Sequence, residues 1–332
     1  MEEKVDFVIP WVDGNDKKWQ EKRKKYEETV ASENDNSESR FRDYGTLKYV
    51  FRSIEKFAPW VNKIYLVTDN QIPNWLNDKN PKVTVVDHTQ IISKEYLPVF
   101  NSNIIDWNID NIPGLSENFV YFNDDTLINN YVKKEDFFKD GLPRDSRLYT
   151  ELIPTEEFNH IIVNNEILIN KYVKNRWPIS KRGLWNRKYE LKRLRNLIFL
   201  PQIKKSGIMG YIEPHGPLSL KKSYFKKAKR LWGEEIDRVF THRFRSLEDI
   251  NIWLVRHLQL EDGSFIPARN TNNSYTELRD LNKVEEALVS RKNLTVCIND
   301  KDGVKDFKQS AEKLEKFLNK KFPQKSSFEK NK

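Results

Sequence analysis

Cysteine is almost missing from this chain of 332 residues: Cys297 stands alone. An intramolecular disulfide and a cysteine-rich zinc site are therefore excluded, and a reducing compartment fits the count. No apolar run approaches the roughly 18 residues of a membrane span. The opening MEEKVDFVIPWVDG has a short apolar run but no basic n-region and no small-residue cleavage site, so it is not read as a signal peptide. The expectation is a cytoplasmic protein, soluble or peripheral. The chain also lacks GxGxxG, a Walker phosphate loop, GxSxG and HExxH. The common dehydrogenase, NTPase, hydrolase and zinc-protease readings lose their support with them.

Acid is scarce in one place. Residues 171–233 hold 18 Lys and Arg against Glu190 and Glu213 alone, a net of +16 in a chain of net +9, so the rest sums to −7. Such a stretch suits a polyanion, whether acidic lipid headgroups, an acidic polymer or nucleic acid, or is no more than a solvated lysine-rich surface.

What is present is aromatic and periodic. Nine Trp, 13 Tyr and 19 Phe supply a real core, which argues against wholesale disorder. Short apolar runs at Val5–Val12, Ile64–Thr68, Val83–Val86 and Phe119–Phe122 read as buried parallel strands. Between the first two, Leu47, Val50, Phe51, Ile54 and Phe57 recur at helical spacing, with Asp43 as the expected N-cap and Ala58-Pro59 as the stop. Strands alternating with helices predict an α/β fold around a parallel, doubly wound sheet. Later elements are weaker. Residues 184–200 read as one cationic amphipathic helix, with Trp185, Tyr189, Leu194, Leu197 and Ile198 on roughly one side and facing the core. Residues 247–260 read as a helix, LTVCIN as a strand followed by a helix from Phe307, and 323–332 as a frayed tail.

Each early strand runs into acid: Asp13, Asp69, Asp87-His88 and Asn123-Asp124-Asp125. In open parallel sheets the ligand sits beyond the carboxyl ends of the strands, so four acidic ends in succession favour a divalent cation and, through it, a diphosphate. The plainer alternative is that Asp and Asn begin turns. Of the five histidines, His160 and His257 read as packed structural residues and His88 as a ligand or turn residue. His215 differs: it lies in EPHGP, where flanking prolines stiffen the loop and hold an imidazole at a fixed point, as a general base requires. His242 opens THRFRSLED, in which Arg243 and Arg245 alternate, so one of them faces a site, and the segment is expected to lead into a helix N-terminus suited to phosphate.

Four blocks then match a known family. They are DFVIPWVDGND at 6–16; RFRDYGTLKYVFRSIEKFAPWVNKIYLVTDNQIPNWL from Arg40, continuing through VDHTQII, LPVFNSNIID and IPGLSENFVYFNDD to Asp125; EPHGPLSLKKS from Glu213, followed by HRFRSLED; and CINDKD from Cys297 to FPQKSSFEK. In this order they cover well over half the chain. The sequence resembles the Stealth proteins, which include bacterial capsule and cell-wall polysaccharide phosphotransferases and the animal lysosomal-enzyme N-acetylglucosamine-1-phosphotransferase.

The resemblance implies a Rossmann-like, glycosyltransferase-A-like core and transfer of a sugar 1-phosphate from a nucleotide sugar, usually a UDP-hexose, to a sugar hydroxyl. The family's nucleotide and catalytic positions fall on Asp13, Asp106, Asp125, His215, Arg245 and Asn299, and Asp69 and Arg40 join them as donor-binding candidates. Asp106 stands where the animal enzymes have Glu, and the polar pair after it is Asp110-Asn111. The implied layout is a nucleotide-sugar half at 1–131, a variable basic helical insertion at 132–205 for acceptor or membrane, a completion of the same domain at 206–329, and a tail at 330–332.

The chemistry asks for the same residue types. His215 takes the proton of the attacking hydroxyl. Arg245 and Mg²⁺ or Mn²⁺ held by Asp124 and Asp125 stabilise phosphoryl charge. Adjacent strand residues point to opposite faces, which favours Asp125 as the direct ligand. Two rivals stay open: a metal-dependent glycosyltransferase that releases UDP, and a non-catalytic basic binding module. The partners expected are a nucleotide-sugar donor, a glycan or lipid-linked oligosaccharide acceptor and an anionic membrane surface at the inner face of the plasma membrane, with no nucleic acid.

Overall fold

A computed structural model describes residues 3–27, 40–269, 273–300 and 303–330. Lys301 and Asp302 of the fourth block, and Asn331 and Lys332 of the expected tail, lie outside them. The apolar runs form strands because alternate side chains on each have a separate core to enter. Val5–Pro10 (β1), Ile64–Thr68 (β2), Val83–Asp87 (β3) and Asn118–Tyr121 (β4) pair in parallel, with Val8 opposite both Tyr65 and Tyr121. Val8, Tyr65, Val67 and Phe119 enter one core with Phe225 and Leu254. Phe7, Ile9, Ile64, Leu66 and Val120 enter the other with Val50, Ile54 and Leu314. Burial on both faces explains the uninterrupted apolar runs.

Thr126–Ile128 (β5) leaves this sheet, and Phe138–Lys139 (β6) and Leu142–Asp145 (β7) form a small hairpin. Leu218–Lys221 (β8) returns antiparallel to β4. Ile266–Pro267 (β9) pairs with β7, while Asn273–Glu277 (β10) and Thr295–Asn299 (β11) complete a second sheet in the order β10-β11-β5. The main sheet runs β3-β2-β1-β4-β8. The chain moves outward from β1 to β3 and then crosses back to place β4 on the other side of β1. The strand order therefore reverses between β1 and β4, and the crevice beyond their carboxyl ends is where such a sheet binds ligand.

Several local expectations change. The helix Thr46–Phe57 is capped by Gly45 in a left-handed conformation (φ 79°), while Asp43 Oδ1 accepts from Gly45 N at 2.7 Å, two residues too early to be the N-cap. The expected helix at 184–200 is broken: a 3-10 segment Arg187–Lys192 bends at Glu190 (φ 52°) before the helix Arg193–Ser206 begins. Of its apolar residues only Tyr189 is buried; Trp185, Leu194, Leu197 and Ile198 are exposed, so the stripe does not face the core. No helix starts at Ser246; the next is Trp253–Glu261. LTVCIN and the helix Phe307–Lys321 stand as expected.

The tail is the largest correction, since residues 323–330 are packed rather than frayed. Phe328 sits against Phe51, and Glu329 receives Arg52 through both oxygens at 2.7 and 2.8 Å, with Arg52 also bonding the Phe322 carbonyl. Both members are buried. Breaking one side of a buried pair strands the other charge, so Glu329→Ala is expected to lower unfolding free energy by about 3–5 kcal/mol in chemical denaturation.

Candidate functional site

The crevice is built first by a close approach. Gly14 follows β1, and a Cβ there would lie 2.1 Å from the Phe41 carbonyl oxygen, which Gly14 N instead bonds at 3.0 Å. Only glycine lets segment 41–45 lie over the end of β1. Asp13 is held beside it, its N–H on Gln71 Oε1 at 2.9 Å and its Oδ1 accepting from Asn15 N at 2.9 Å. Asp43 joins from above; burial and the charge of Asp13 hold its carboxyl above the usual range, partly offset by the Gly45 N–H.

Asp124 and Asp125 occupy the turn between β4 and β5. They are not neighbours on a strand, so the opposite-faces argument for choosing between them does not apply. Both are partly solvent-accessible yet ringed deeply enough by protein for desolvation to dominate. Burial, then Asp125 and Asp43, push Asp124 well up, and burial pushes Asp125 up to about 6. Asp125 accepts from Thr126 Oγ1 at 3.1 Å and from Cys297 Sγ at 3.5 Å. Among the described residues neither carboxyl has an ion pair, and the largest influence on each is desolvation.

His215 is linked to the carboxylate pair through the second sheet. Its exposed ring leans on Tyr275 of β10 with centroids 4.7 Å apart, and Tyr275 is in register with Cys297, the thiol on Asp125. Desolvation lowers its pKa, against the pull of Glu213. Glu213 itself is tied to Arg256 at 2.8 Å and His257 at 2.5 Å, which anchors the loop. Arg245 donates to Ser102 Oγ at 3.1 Å and lies near Asp106, whose carboxyl accepts from Tyr121 Oη at 2.9 Å. Burial pushes Asp106 up to about 7, with Tyr121 and Arg245 opposing. Tyr121 in turn feels both Asp124 and Asp125. Arg243 points the other way, to the Pro98 carbonyl and over Tyr26, as alternation predicts. Asn299 ends β11 directly after Ile298, whose carbonyl takes the Tyr44 hydroxyl and whose N–H bonds the Asp125 carbonyl.

The acidic rim is thus half of what the sequence suggested. Asp69 is ion-paired to Lys22, and Asp87 caps a turn, accepting from Asn70 N and from the backbone and hydroxyl of Thr89. Asp87 follows the turn-forming reading and Asp69 is taken up by an ion pair; the ends of β1 and β4, with Asp43, form the cluster. Arg40 is exposed just ahead of the Phe41 contact. Asp110 pairs with Lys229, and Asn111 bonds the Ile91 carbonyl, so this pair braces the fold. His88 is buried, and desolvation takes its pKa to about 4. His257 stacks on Tyr211 at 4.0 Å, and His242 bonds Asp249 at 2.8 Å; both are structural. Sequence reasoning missed Asp43, Tyr44, Tyr121 and Tyr275. The first two stood in the second block as RDYG; Tyr275 carried no signal, because its strand was not predicted.

Among the described residues, no three His, Cys, Asp or Glu side chains form a complete metal site. The donor set nonetheless fits Mg²⁺ or Mn²⁺: two adjacent hard carboxylates, Asp124 pushed up by Asp125 and neither ion-paired among the described residues, are what such an ion takes when substrate phosphates fill its remaining positions.

Comparison with known proteins agrees with the first three blocks. The descriptions Stealth protein CR1, CR2 and CR3, conserved regions 1 to 3, match residues 3–31, 40–145 and 214–257. The second region runs to 145, so the start of the segment expected to be variable, 132–145, belongs to the shared part. Capsular polysaccharide phosphotransferase WcwK of Streptococcus pneumoniae is 40% identical over 99% of this chain and 100% of its own. Exopolysaccharide phosphotransferase cps2G of Lactiplantibacillus plantarum is 40% identical over 98% and 96%. Receptor polysaccharide phosphotransferase WefC of Streptococcus gordonii is 39% identical over 99% and 100%. Among solved structures, the galactosyltransferase LgtC overlays 92% of this chain and 95% of its own at 11% identity with a TM-score of 0.39, too loose to pair residues.

Proposed function

Because the chain belongs to the Stealth family and is a phosphotransferase, we propose that it transfers a hexose 1-phosphate from a UDP-sugar to a sugar hydroxyl of a capsular or cell-wall polysaccharide and releases UMP. The observation that carries the reading is the convergence, at the strand-order reversal, of the Asp124 and Asp125 carboxyls, which have no ion pair among the described residues, with the His215 imidazole, linked to Asp125 through Tyr275 and Cys297. Asp13 and Asn299 sit at the rim for the nucleotide side. Mg²⁺ or Mn²⁺, when held by Asp124 and Asp125, supplies positive charge to the diphosphate.

The chain's own groups do the rest. His215, with its pKa lowered, is neutral at pH 7 and free to take a proton. It removes the hydroxyl proton as that oxygen attacks the sugar-side phosphorus. The bond from that phosphorus to the bridging oxygen breaks, and UMP leaves with the electron pair. Arg245, oriented by Ser102 and near Asp106, stabilises charge spreading over the phosphoryl oxygens. With donor and glycan acceptor supplied, chromatography of the released nucleotide tests the reading. UMP is expected; UDP would instead assign an ordinary glycosyltransferase that breaks the anomeric C–O bond.

One specific observation extends the proposal to where the enzyme works. On and before the helix Arg193–Ser206, Leu191 is 79% and Ile198 67% exposed, beside exposed Trp185, Leu194 and Leu197. Lys192, Lys204 and Lys205 are exposed with them. An apolar face rimmed by lysine suits the surface of an anionic membrane, each cation adding about 1 kcal/mol within a Debye length of about 8 Å. The protein is expected to sediment with anionic liposomes at low salt, leave them at high salt and ignore neutral ones. Leu197→Asp with Ile198→Asp is expected to abolish sedimentation; unchanged sedimentation would remove the membrane from the account.

A further inference from the structure

A cavity of about 250 Å³ opens beside the His215 loop, lined by Arg144, Lys188, Arg269, Pro214, Pro217 and Asn273. It is smaller than the ~300–1,000 Å³ of a typical small-molecule pocket, so it holds a group rather than a whole oligosaccharide. Its charge is lopsided. Of the two acids in its lining, Asp145 is claimed by Arg256 at 2.7 and 2.8 Å, while Asp136 accepts from Lys133 N at 2.8 Å and is the one of the pair without an ion pair among the described residues. Arg269 pairs with Glu190. Among the described residues neither Arg144 nor Lys188 has an ion pair, and Arg144 Nε is buried with no hydrogen-bond partner. Arg144 meets protein through Nη1 on the Glu135 carbonyl at 2.8 Å. Burial, then Arg144 and Lys139, hold Lys188 below the usual lysine range. A concave surface holding unpaired cations concentrates positive potential for an incoming anion.

Its position ties it to the chemistry. Asn273 lies under the loop so closely that a Cβ on Gly216 would meet its Nδ2 at 2.6 Å. Two residues along the same strand, on the same face, Tyr275 carries the His215 ring. Two strand residues span about 7 Å, roughly one sugar unit. None of the carboxylates assigned to the donor lines the cavity.

We propose that this cavity is an acceptor subsite that recognises a negatively charged substituent, a carboxylate or a phosphate, borne by the acceptor glycan within about one sugar unit of the attacking hydroxyl. The proposal rests on the transferase reading. Arg144 and Lys188 grip the anion, Asn273 contributes an amide, and the prolines fix the loop so that the same contact sets the acceptor hydroxyl against His215.

The test titrates the full chain with methyl glucuronide, methyl glucoside 6-phosphate and neutral methyl glucoside by saturation-transfer NMR, with UDP binding measured in parallel. At least one anionic glycoside is expected to bind about tenfold or more tightly than the neutral one, the difference a charge-assisted contact supports. Which of the two binds identifies carboxylate or phosphate as the source. Lys188→Glu, and independently Arg144→Gln, are expected to erase that preference while leaving UDP binding and melting temperature unchanged. Equal affinity for charged and neutral glycosides, or a preference that survives both substitutions, overturns the subsite. If the preference depends on Lys188 but no nucleotide sugar is ever consumed, the subsite stands and the transferase reading falls.

Discussion

Replacing His215 with alanine is expected to lower turnover by about 10²–10⁴-fold while donor affinity stays within a few-fold, because loss of a general base acts on the transition state rather than on ground-state binding. The ring is exposed and makes its contact with Tyr275, so its removal does not hollow the core. The pH profile adds a second readout. Desolvation keeps the imidazole pKa below its ordinary value, so the rate should climb with pH and reach half of its plateau below the usual histidine midpoint. Asp125, near 6, and Asp106, near 7, also titrate in that region. The diagnostic is therefore the part of the acid limb that disappears in His215→Ala. Near-normal turnover in that variant would take His215 out of the mechanism.

The second large effect concerns Asp125→Asn. Transfer is expected to fall by about 10²–10³-fold, the scale of losing a group that organises charge at the reacting phosphate. Chelation with EDTA should abolish activity in the wild type, and Mg²⁺ or Mn²⁺ should restore it. Stability should move the other way. The carboxyl titrates near 6 in the folded protein, above its unfolded value, so the folded state loses stability as pH rises from about 4 through about 6. Asn removes that penalty. In the absence of divalent cation the variant should melt no lower than wild type at pH 7.5, and the advantage should vanish near pH 4. A variant that is both inactive and markedly less stable at pH 7.5 would make Asp125 a structural residue.

The parallel strands were legible because central strands buried on both faces read as unbroken β-branched and aromatic runs. The place of the proposed site was legible because β1 and β4 both end in acid. What escaped was decided by partners distant in sequence or by local hydrogen bonds. Asp69 and Asp87 looked equivalent to Asp13 until Lys22 and Thr89 claimed them. The C-terminal segment read as a tail because Arg52, its buried partner, lies 277 residues from Glu329. The basic stretch looked denser than it is: Lys171, Arg195, Lys221, Lys227 and Lys229 pair with Glu235, Glu151, Glu117, Asp262 and Asp110, all from outside it. Helical spacing at 184–200 showed which residues share a side, but not that Glu190 breaks the helix or that Leu191 and Ile198 stay exposed among the described residues.

The central claim is that the bond broken joins the two phosphates, so that the sugar-side phosphorus travels with the sugar. The most direct measurement uses a UDP-sugar labelled with ³²P at the β-phosphorus, together with the protein, Mg²⁺ and a glycan acceptor. The account predicts that the label enters the glycan as a phosphodiester, resistant to phosphatase, with unlabelled UMP in solution. Label recovered as UDP, with sugar in the glycan but no phosphorus, would contradict it.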